Sequence, residues 1–449
     1  MNKKGFSAKK ILRGVSRLTK SPAMQEWLEN SRRPGLWVTA MVLCFATVFT
    51  ALTLLLPKKD FSEKENRKLA QFPAVSWAGL ADGSAARDTE SFFADQFTGR
   101  DFWIQMNLRF RRLLGQKENG GVYIGKKKTL FLIPSRPNEA ALNKNLLAME
   151  AFASANPDVK TYVAIIPNAV TVLKDKLPAF APVPDQAAQM QTVAEGVPSA
   201  TFLDVTEALL AHKDEYVFYR TDHHWTSLGA RYAFEEMAAK MEITPAEDYD
   251  VYPVSTTFSG TLASKSGRFK TLDTVDIYVP HTETEYNVTY LDTQEKAPSM
   301  YKKEALDAKD HYTVFFGGNY GRVDINTTAG TGRRLLLFKD SYANCMIQFL
   351  YPCFDEIVMV DPRYYYDSAA PLITQHGVTD VLYLYNCDTF MTDTSLADAL
   401  AAPAANPADA PGLPAPDAEA ASPADAEAET KAADNAVAGN ADSAGKADD

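Results

Sequence analysis

Between Arg33 and Lys58 the chain has no charged side chain, and residues 36–56 are apolar apart from Thr39, Thr47, Thr50 and Thr53. At ~1.5 Å of rise per residue this run is roughly 31 Å long, enough to cross a bilayer core. It ends in Leu54-Leu55-Leu56-Pro57-Lys58-Lys59, with no small-x-small site at which a signal peptide would be cut. We read it as an uncleaved transmembrane helix. Farther along, Phe92, Phe93, Phe97, Trp103, Ile104, Leu108, Leu113 and Leu114 recur at helical intervals and predict one helix over about 88–114. Asp95 and Arg100 within it read as solvated helix charges, with a buried ion pair as the alternative.

After Gly120-Gly121 come two short β-type runs, 122–125 and 129–134, joined by a lysine-rich turn. From there helical patterns and apolar strands alternate. The pattern predicts a helix over 138–153, strands over 161–167 and 201–205, and helices over 206–212 and 227–241. It then predicts a strand over 334–338, a helix from about 342, and strands over 356–360 and 378–385. Strands that are apolar throughout and separated by helices indicate a parallel sheet covered on both faces. In such sheets functional residues gather at the carboxyl ends of strands. Residues 245–330 interrupt the rhythm with β-rich, Thr- and Gly-containing runs and read as an insertion in a domain spanning 57–400.

Charge sorts the chain along its length. Residues 1–33 carry nine Lys/Arg against two acidic residues, whereas 401–449 carry ten acidic residues against Lys431 and Lys446. The positive-inside rule then keeps the basic segment 1–35 cytoplasmic and puts everything after Pro57 outside. Of the whole chain's net charge of −11, −10 falls on residues 34–400, which excludes nucleic acid as the partner. Residues 401–449 hold 20 Ala and six Pro with no aromatic residue, and read as a disordered acidic tail. An outside location permits disulfides, but Cys345, Cys353 and Cys387 are odd in number. One pair plus a free thiol and three buried thiols both remain open.

Two segments carry candidate chemistry. In Arg220-Thr221-Asp222-His223-His224-Trp225-Thr226 a carboxylate stands two residues from an imidazole, just before a helix that Thr226 or Ser227 would cap. Such a carboxylate orients the imidazole and stabilises its protonated form, as a general base requires. In Leu335-Leu-Leu-Phe-Lys339-Asp340-Ser341-Tyr342-Ala343-Asn344 a strand delivers a serine into a helix start, whose first N–H groups suit an oxyanion. Serine, histidine and aspartate together make the logic of acyl transfer. Asp222, His223 and His224 lack further ligands at zinc spacings, so no metal is assigned.

These strings resemble the DHHW protein family of bacteria, which groups with the SGNH-hydrolase-like proteins and is related to alginate O-acetyltransferases. Ser62-Glu-Lys-Glu-Asn-Arg67, Gly317-Gly318-Asn319-Tyr320 and Asp361-Pro-Arg363-Tyr364-Tyr365 extend the resemblance over about 60–395. It implies a three-layer α/β/α fold, permuted so that the nucleophile comes late. By position Ser341 matches the nucleophile, His224 the base and Asp222 the orienting carboxylate. Arg363, Asn319, Tyr342 and His223 are the expected substrate or oxyanion contacts. One departure is Lys339, which stands where many relatives have glycine, and a side chain there would crowd the approach to the serine.

The expected function is a membrane-anchored, extracytoplasmic O-acetyltransferase or acetylesterase acting on a cell-surface polysaccharide, without a cofactor. The resemblance implies a multi-span O-acyltransferase of the membrane as acetyl supplier. The many Tyr and Trp residues suit sugar rings, and the acidic body disfavours a polyanionic polymer. The competing expectation is a catalytically silent glycan-binding or scaffolding component of an envelope assembly machine.

Overall fold

The computed structural model describes residues 34–401 except 63, 66 and 75, together with residue 22. The segment expected over 1–35 and the tail expected over 401–449 therefore lie, but for residues 22, 34, 35 and 401, outside the described residues. The chain divides into two compact units, 1–62 with 68–106, and 63–67 with 107–449.

The first unit is built on the helix Pro34–Leu55. Residues 35–55 of it are long and apolar enough to cross a membrane. Lys58 folds back on its C-terminal end, where the ammonium donates to the carbonyls of Thr53, Leu54 and Leu56 that the helix leaves unpaired. Near that end Thr53 is buried, and its hydroxyl accepts from the Thr98 N–H at 3.1 Å. Phe49 stacks on Phe97 at 5.5 Å, and the Trp103 indole lies 6.0 Å from both Phe45 and Phe49.

The single helix expected over 88–114 is two, Ser84–Gln96 and Arg100–Leu113. The break falls at Gly99, whose φ of 72° belongs to the left-handed region that ends helices. Asp95 and Arg100 also differ from expectation. Asp95 is 8% exposed, lies 3.6 Å from the half-buried Arg100 guanidinium and accepts from the Ala70 N–H, so these are not two solvated helix charges.

The second unit centres on an eight-stranded sheet. Its strands lie in the order Glu295–Ala297, Tyr286–Tyr290, Arg322–Thr327, Glu356–Val360, Arg334–Lys339, Asp380–Asn386, Lys160–Ile166 and Thr201–Phe202. The last five are parallel, and the first three extend the sheet antiparallel. Residues 245–330, read as an insertion, thus supply three strands of this sheet as well as a hairpin, Tyr249–Phe258 with Asp273–Pro280.

The strict period of two along each strand sends alternate residues to two separate cores. Leu336, Phe338, Val358, Val360, Val381 and Tyr383 pack under the helices Glu139–Ala155, Gln186–Gly196 and Ala370–His376. Leu335, Leu337, Ile357, Met359 and Leu382 pack with the helix Ser227–Met241 and the hairpin. The result is the expected three-layer α/β/α body, with both faces of its central strands dry. The strand expected over 201–205 shortens to Thr201–Phe202. The helix expected from 342 begins as a 3₁₀ turn, Ser341–Met346, before the short α-helix Ile347–Leu350.

Candidate active site

The histidine loop is a tight excursion closed by antiparallel bridging of Phe218 and Trp225. Thr226 caps the helix that follows, accepting from the Gly229 N–H. Beneath the loop the buried carboxylate of Asp273 accepts from the Tyr216 hydroxyl, the Arg220 and Thr221 backbone N–H groups and the Thr221 hydroxyl. Those bonds fix the backbone on which Asp222 and the two histidines stand.

The serine arrives from the other direction, at the carboxyl end of the central strand Arg334–Lys339. Asp340 caps the turn by accepting from the Tyr342 N–H, and its second oxygen accepts from the Asn386 N–H on the neighbouring strand. Burial raises the Asp340 carboxyl above its usual range. That cap also uses the Tyr342 N–H, one of the groups expected to face an oxyanion.

Two reciprocal bonds join the segments. The Trp225 indole donates to the Tyr342 carbonyl at 2.9 Å, and the Tyr342 hydroxyl donates to the His223 carbonyl. Across this seam His224 Nε2 lies 2.7 Å from Ser341 Oγ, and His224 Nδ1 lies 2.6 Å from Asp222 Oδ1. Ser341 is half-buried, whereas Asp222 and His224 are buried. Burial alone would raise the Asp222 carboxyl. The imidazoles of His223 and His224, with hydrogen bonds from His224 and Thr261, outweigh it and hold the carboxyl well below the usual carboxylate range.

Two residues at the site carried no sequence signal. Thr261 gives both its N–H and its hydroxyl to Asp222 Oδ2, at 2.8 and 2.9 Å. Its one hydroxyl proton is then committed, so the 3.0 Å contact with His223 Nδ1 has the imidazole as donor. Tyr312 stacks on His224 with ring centroids 3.9 Å apart and donates to the Ser341 carbonyl. Neither lies near the motifs in sequence, and no spacing rule leads to them.

The space for Thr261 exists because residue 260 is glycine. A Cβ there would sit 2.4 Å from Asp222 Cβ and 2.6 Å from Asp222 Oδ2. We expect Gly260→Ala to displace the carboxylate and lower turnover about tenfold or more, through loss of one charge-assisted hydrogen bond. Comparing kcat of the variant with that of the parent checks this, and circular dichroism controls for folding.

The other expected contacts fall into two groups. Tyr342 is wholly buried, with its hydroxyl spent on the His223 carbonyl, so it is a packing and positioning residue rather than the expected substrate or oxyanion contact. His223 lies beside His224, ring centroids 3.9 Å apart, and is partly exposed. Asn319 and Arg363 instead border a cluster around Lys339. Asn319 Oδ1 accepts from Lys339 and from the Asn344 amide, both at 3.3 Å, while Arg363 makes two bonds to Asp361.

Lys339 is buried, with its ammonium 3.0 Å from Asn344 Oδ1 and 3.4 Å from Asp361. Burial pushes its pKa down, against the pull of Asp361. Ser341 and His224 touch with this side chain in place, and its ammonium is held by Asn319, Asn344 and Asp361. Lys339→Ala should cost about 2–5 kcal/mol of stability, because a buried stem leaves a cavity and two amide oxygens lose a donor. Urea unfolding of the two proteins measures it.

Asp222, His223 and His224 also bring three ligand-type atoms within 4.8 Å of one another. Their hydrogen bonds to Ser341 and Thr261 already occupy the facing atoms. Cys345, Cys353 and Cys387 are all buried free thiols, which selects the second of the two cysteine arrangements.

No curated protein matches the chain. Residues 128–325 match a family model described as an SGNH hydrolase-like domain, acetyltransferase AlgX. That match includes Asp222, His223, His224 and Thr261 and ends before Ser341. Among solved structures, a DHHW family protein from Eubacterium siraeum is similar at 22% identity and a TM-score of 0.53, covering 63% of this chain and 95% of that one. Bacillus cereus PatB1, solved with a sulfonyl adduct, is similar at 17% identity and a TM-score of 0.51, covering 61% of this chain and 96% of that one. At these identities the likeness is one of fold. Residues 128–325 are thus similar to the SGNH hydrolase-like domain of acetyltransferase AlgX, and the chain shares its three-layer fold with a DHHW family protein.

Proposed function

We propose that the protein is a membrane-anchored O-acetyltransferase or acetylesterase acting outside the cytoplasm on a cell-surface polysaccharide, with Ser341, His224 and Asp222 as its catalytic residues. The observation that carries this reading is the unbroken chain from Ser341 Oγ to His224 Nε2 at 2.7 Å and from His224 Nδ1 to Asp222 at 2.6 Å. The acetyltransferase family match supports the same reaction class.

In the reaction Ser341 Oγ attacks the acetyl carbonyl of the donor and His224 Nε2 takes its proton. Asp222, ionised throughout, stabilises the imidazolium that forms. The tetrahedral intermediate collapses, the donor's leaving group receives the proton from His224, and the acetyl group remains on Ser341. A sugar hydroxyl or water then attacks the acetyl-serine, gives its proton to His224 and leaves as ester or acetate. Ser341 recovers its proton from the imidazolium.

Anchoring by residues 34–55 is supported by contacts that cleavage would remove, namely buried Thr53 against Thr98 and Phe49 against Phe97. The acidic body favours a neutral or amino-sugar polymer. The alternative, a catalytically silent glycan-binding or scaffolding component, draws on Lys339 beside the serine and on the lack of visible substrate motifs. Incubating detergent-solubilised full chain with an acetyl-ester donor, with and without an oligosaccharide acceptor, tests the reading. Acetylated sugar identifies a transferase and acetate alone an esterase, while no Ser341-dependent turnover of either kind refutes it.

A further inference from the structure

The helix Arg100–Leu113 contains no buried residue. Its half-buried positions are Arg100, Asp101, Trp103, Ile104, Gln105 and Leu108, and all but Trp103 are spaced as one helical face. The opposite face is also apolar and is open. Phe102, Met106, Phe110 and Leu113 are 58%, 46%, 61% and 86% exposed and follow the i, i+4, i+8, i+11 spacing of a stripe. Arg109 borders that stripe, while Arg111 and Arg112 stand on the other side of the helix, and all three are exposed. An open apolar stripe of this length needs an occupant.

The same helix says which one. Trp103, at the edge of the stripe, lies against Phe45 and Phe49 of the helix Pro34–Leu55. Those two positions are six and ten residues before Leu55, or about 9–15 Å below the end of that helix at ~1.5 Å per residue. If residues 35–55 cross a bilayer core of ~30 Å, Trp103 is inside the hydrocarbon and its neighbours on the stripe meet acyl chains.

We propose that Arg100–Leu113 is an interfacial helix that lies in the leaflet at the C-terminal end of the membrane span. It buries Phe102, Met106, Phe110 and Leu113 among acyl chains and directs its arginines to lipid phosphates. The geometry is that of amphipathic helices that lie in the headgroup–acyl boundary, where long cationic side chains reach outward to the charged layer. This inference rests on the anchor reading, and the two can fail separately.

The test is spin-label accessibility in the full chain, reconstituted in vesicles of phosphatidylcholine and phosphatidylglycerol. With Cys44→Ser in the background, single nitroxides are attached at Phe110→Cys, Met106→Cys, Val48→Cys and Lys117→Cys. The remaining thiols are buried. The expected result is that positions 106 and 110 behave like 48, open to oxygen and losing the collisions with a water-soluble nickel chelate that position 117 shows. Nickel collisions at 106 and 110 with a lipid-like position 48 overturn the interfacial helix and leave the anchor standing. Nickel collisions at 48 overturn the anchor and this inference with it. Labels at 106 and 110 shielded from both reagents mean that protein covers the stripe, and also overturn it.

Discussion

Ser341→Ala should abolish acetyl-ester turnover by the full chain, with a loss of ~10³-fold or more in kcat and no change in folding. The size follows from what the hydroxyl does. Loss of a nucleophile held by its base leaves only the contribution of binding and of any oxyanion donors, which in serine hydrolases is a small residue of the whole. Structural cost should be slight, since Ser341 is half-buried and the turn it opens is capped by Asp340 and tied down by Tyr342. Mass spectrometry gives a second readout. Brief exposure of the parent to the donor should add one acetyl group to the peptide containing Ser341, and the variant should lack it. Equal turnover by the two proteins would remove the proposed chemistry altogether.

Asp222→Asn should be nearly as damaging, by ~10³–10⁴-fold in kcat, for a reason that can be traced to individual hydrogens. One carboxylate oxygen accepts from the backbone N–H and the imidazole of His224, and the other from the backbone N–H and the hydroxyl of Thr261. An amide has only one accepting end. Whichever way it turns, its NH₂ faces a backbone N–H, at a cost of about 1–3 kcal/mol for the unsatisfied donor. It also brings no charge to stabilise the imidazolium. The parent's rate should rise with pH as an imidazole loses its proton, in a range whose unperturbed centre is ~6.5. Asp222 itself should add no limb there, because its carboxyl is held well below the usual range. The sign for stability follows: a depressed carboxyl pKa gives stabilisation above the unfolded value of ~3.9 that is lost as pH falls toward the folded one. The variant should lack that acid sensitivity. A pH–rate profile flat from acid to neutral in the parent would count against the base.

Much of this fold was legible because its signals are local. The central strands are apolar along their middles, so their burial on both faces could be read without knowing their order, and the helix cap could be narrowed to Thr226 or Ser227 from their place before a helical pattern. Asp222, His224 and Ser341 stood out because carboxylate, imidazole and hydroxyl occur in short recognisable strings. What the sequence did not reveal depends on partners far away along the chain. Thr261 and Tyr312 are ordinary residues in an irregular stretch, and only folding brings them to Asp222 and His224. Lys339 looked obstructive because its neighbours in sequence say nothing of Asp361 and Asn344. Gly99 was passed over within a helical pattern because its neighbours kept the period on both sides.

The order of strands in the sheet has a bearing on how the chain is made. The middle of the sheet is built from its three strands latest in the chain, Arg334–Lys339, Glu356–Val360 and Asp380–Asn386, and Lys160–Ile166, paired on one side with the short strand Thr201–Phe202, must wait for the last of them before its other edge is covered. Contacts so distant along the chain are slow to form, since loop closure precedes their reward. A nascent polypeptide that has emerged only as far as Thr327 holds His223 and His224 but has neither a nucleophile nor a keel on which to lay them. Truncation anywhere before Asn386 should therefore yield a protease-sensitive fragment rather than a dormant enzyme, and catalytic competence arrives in one step, once that strand has emerged.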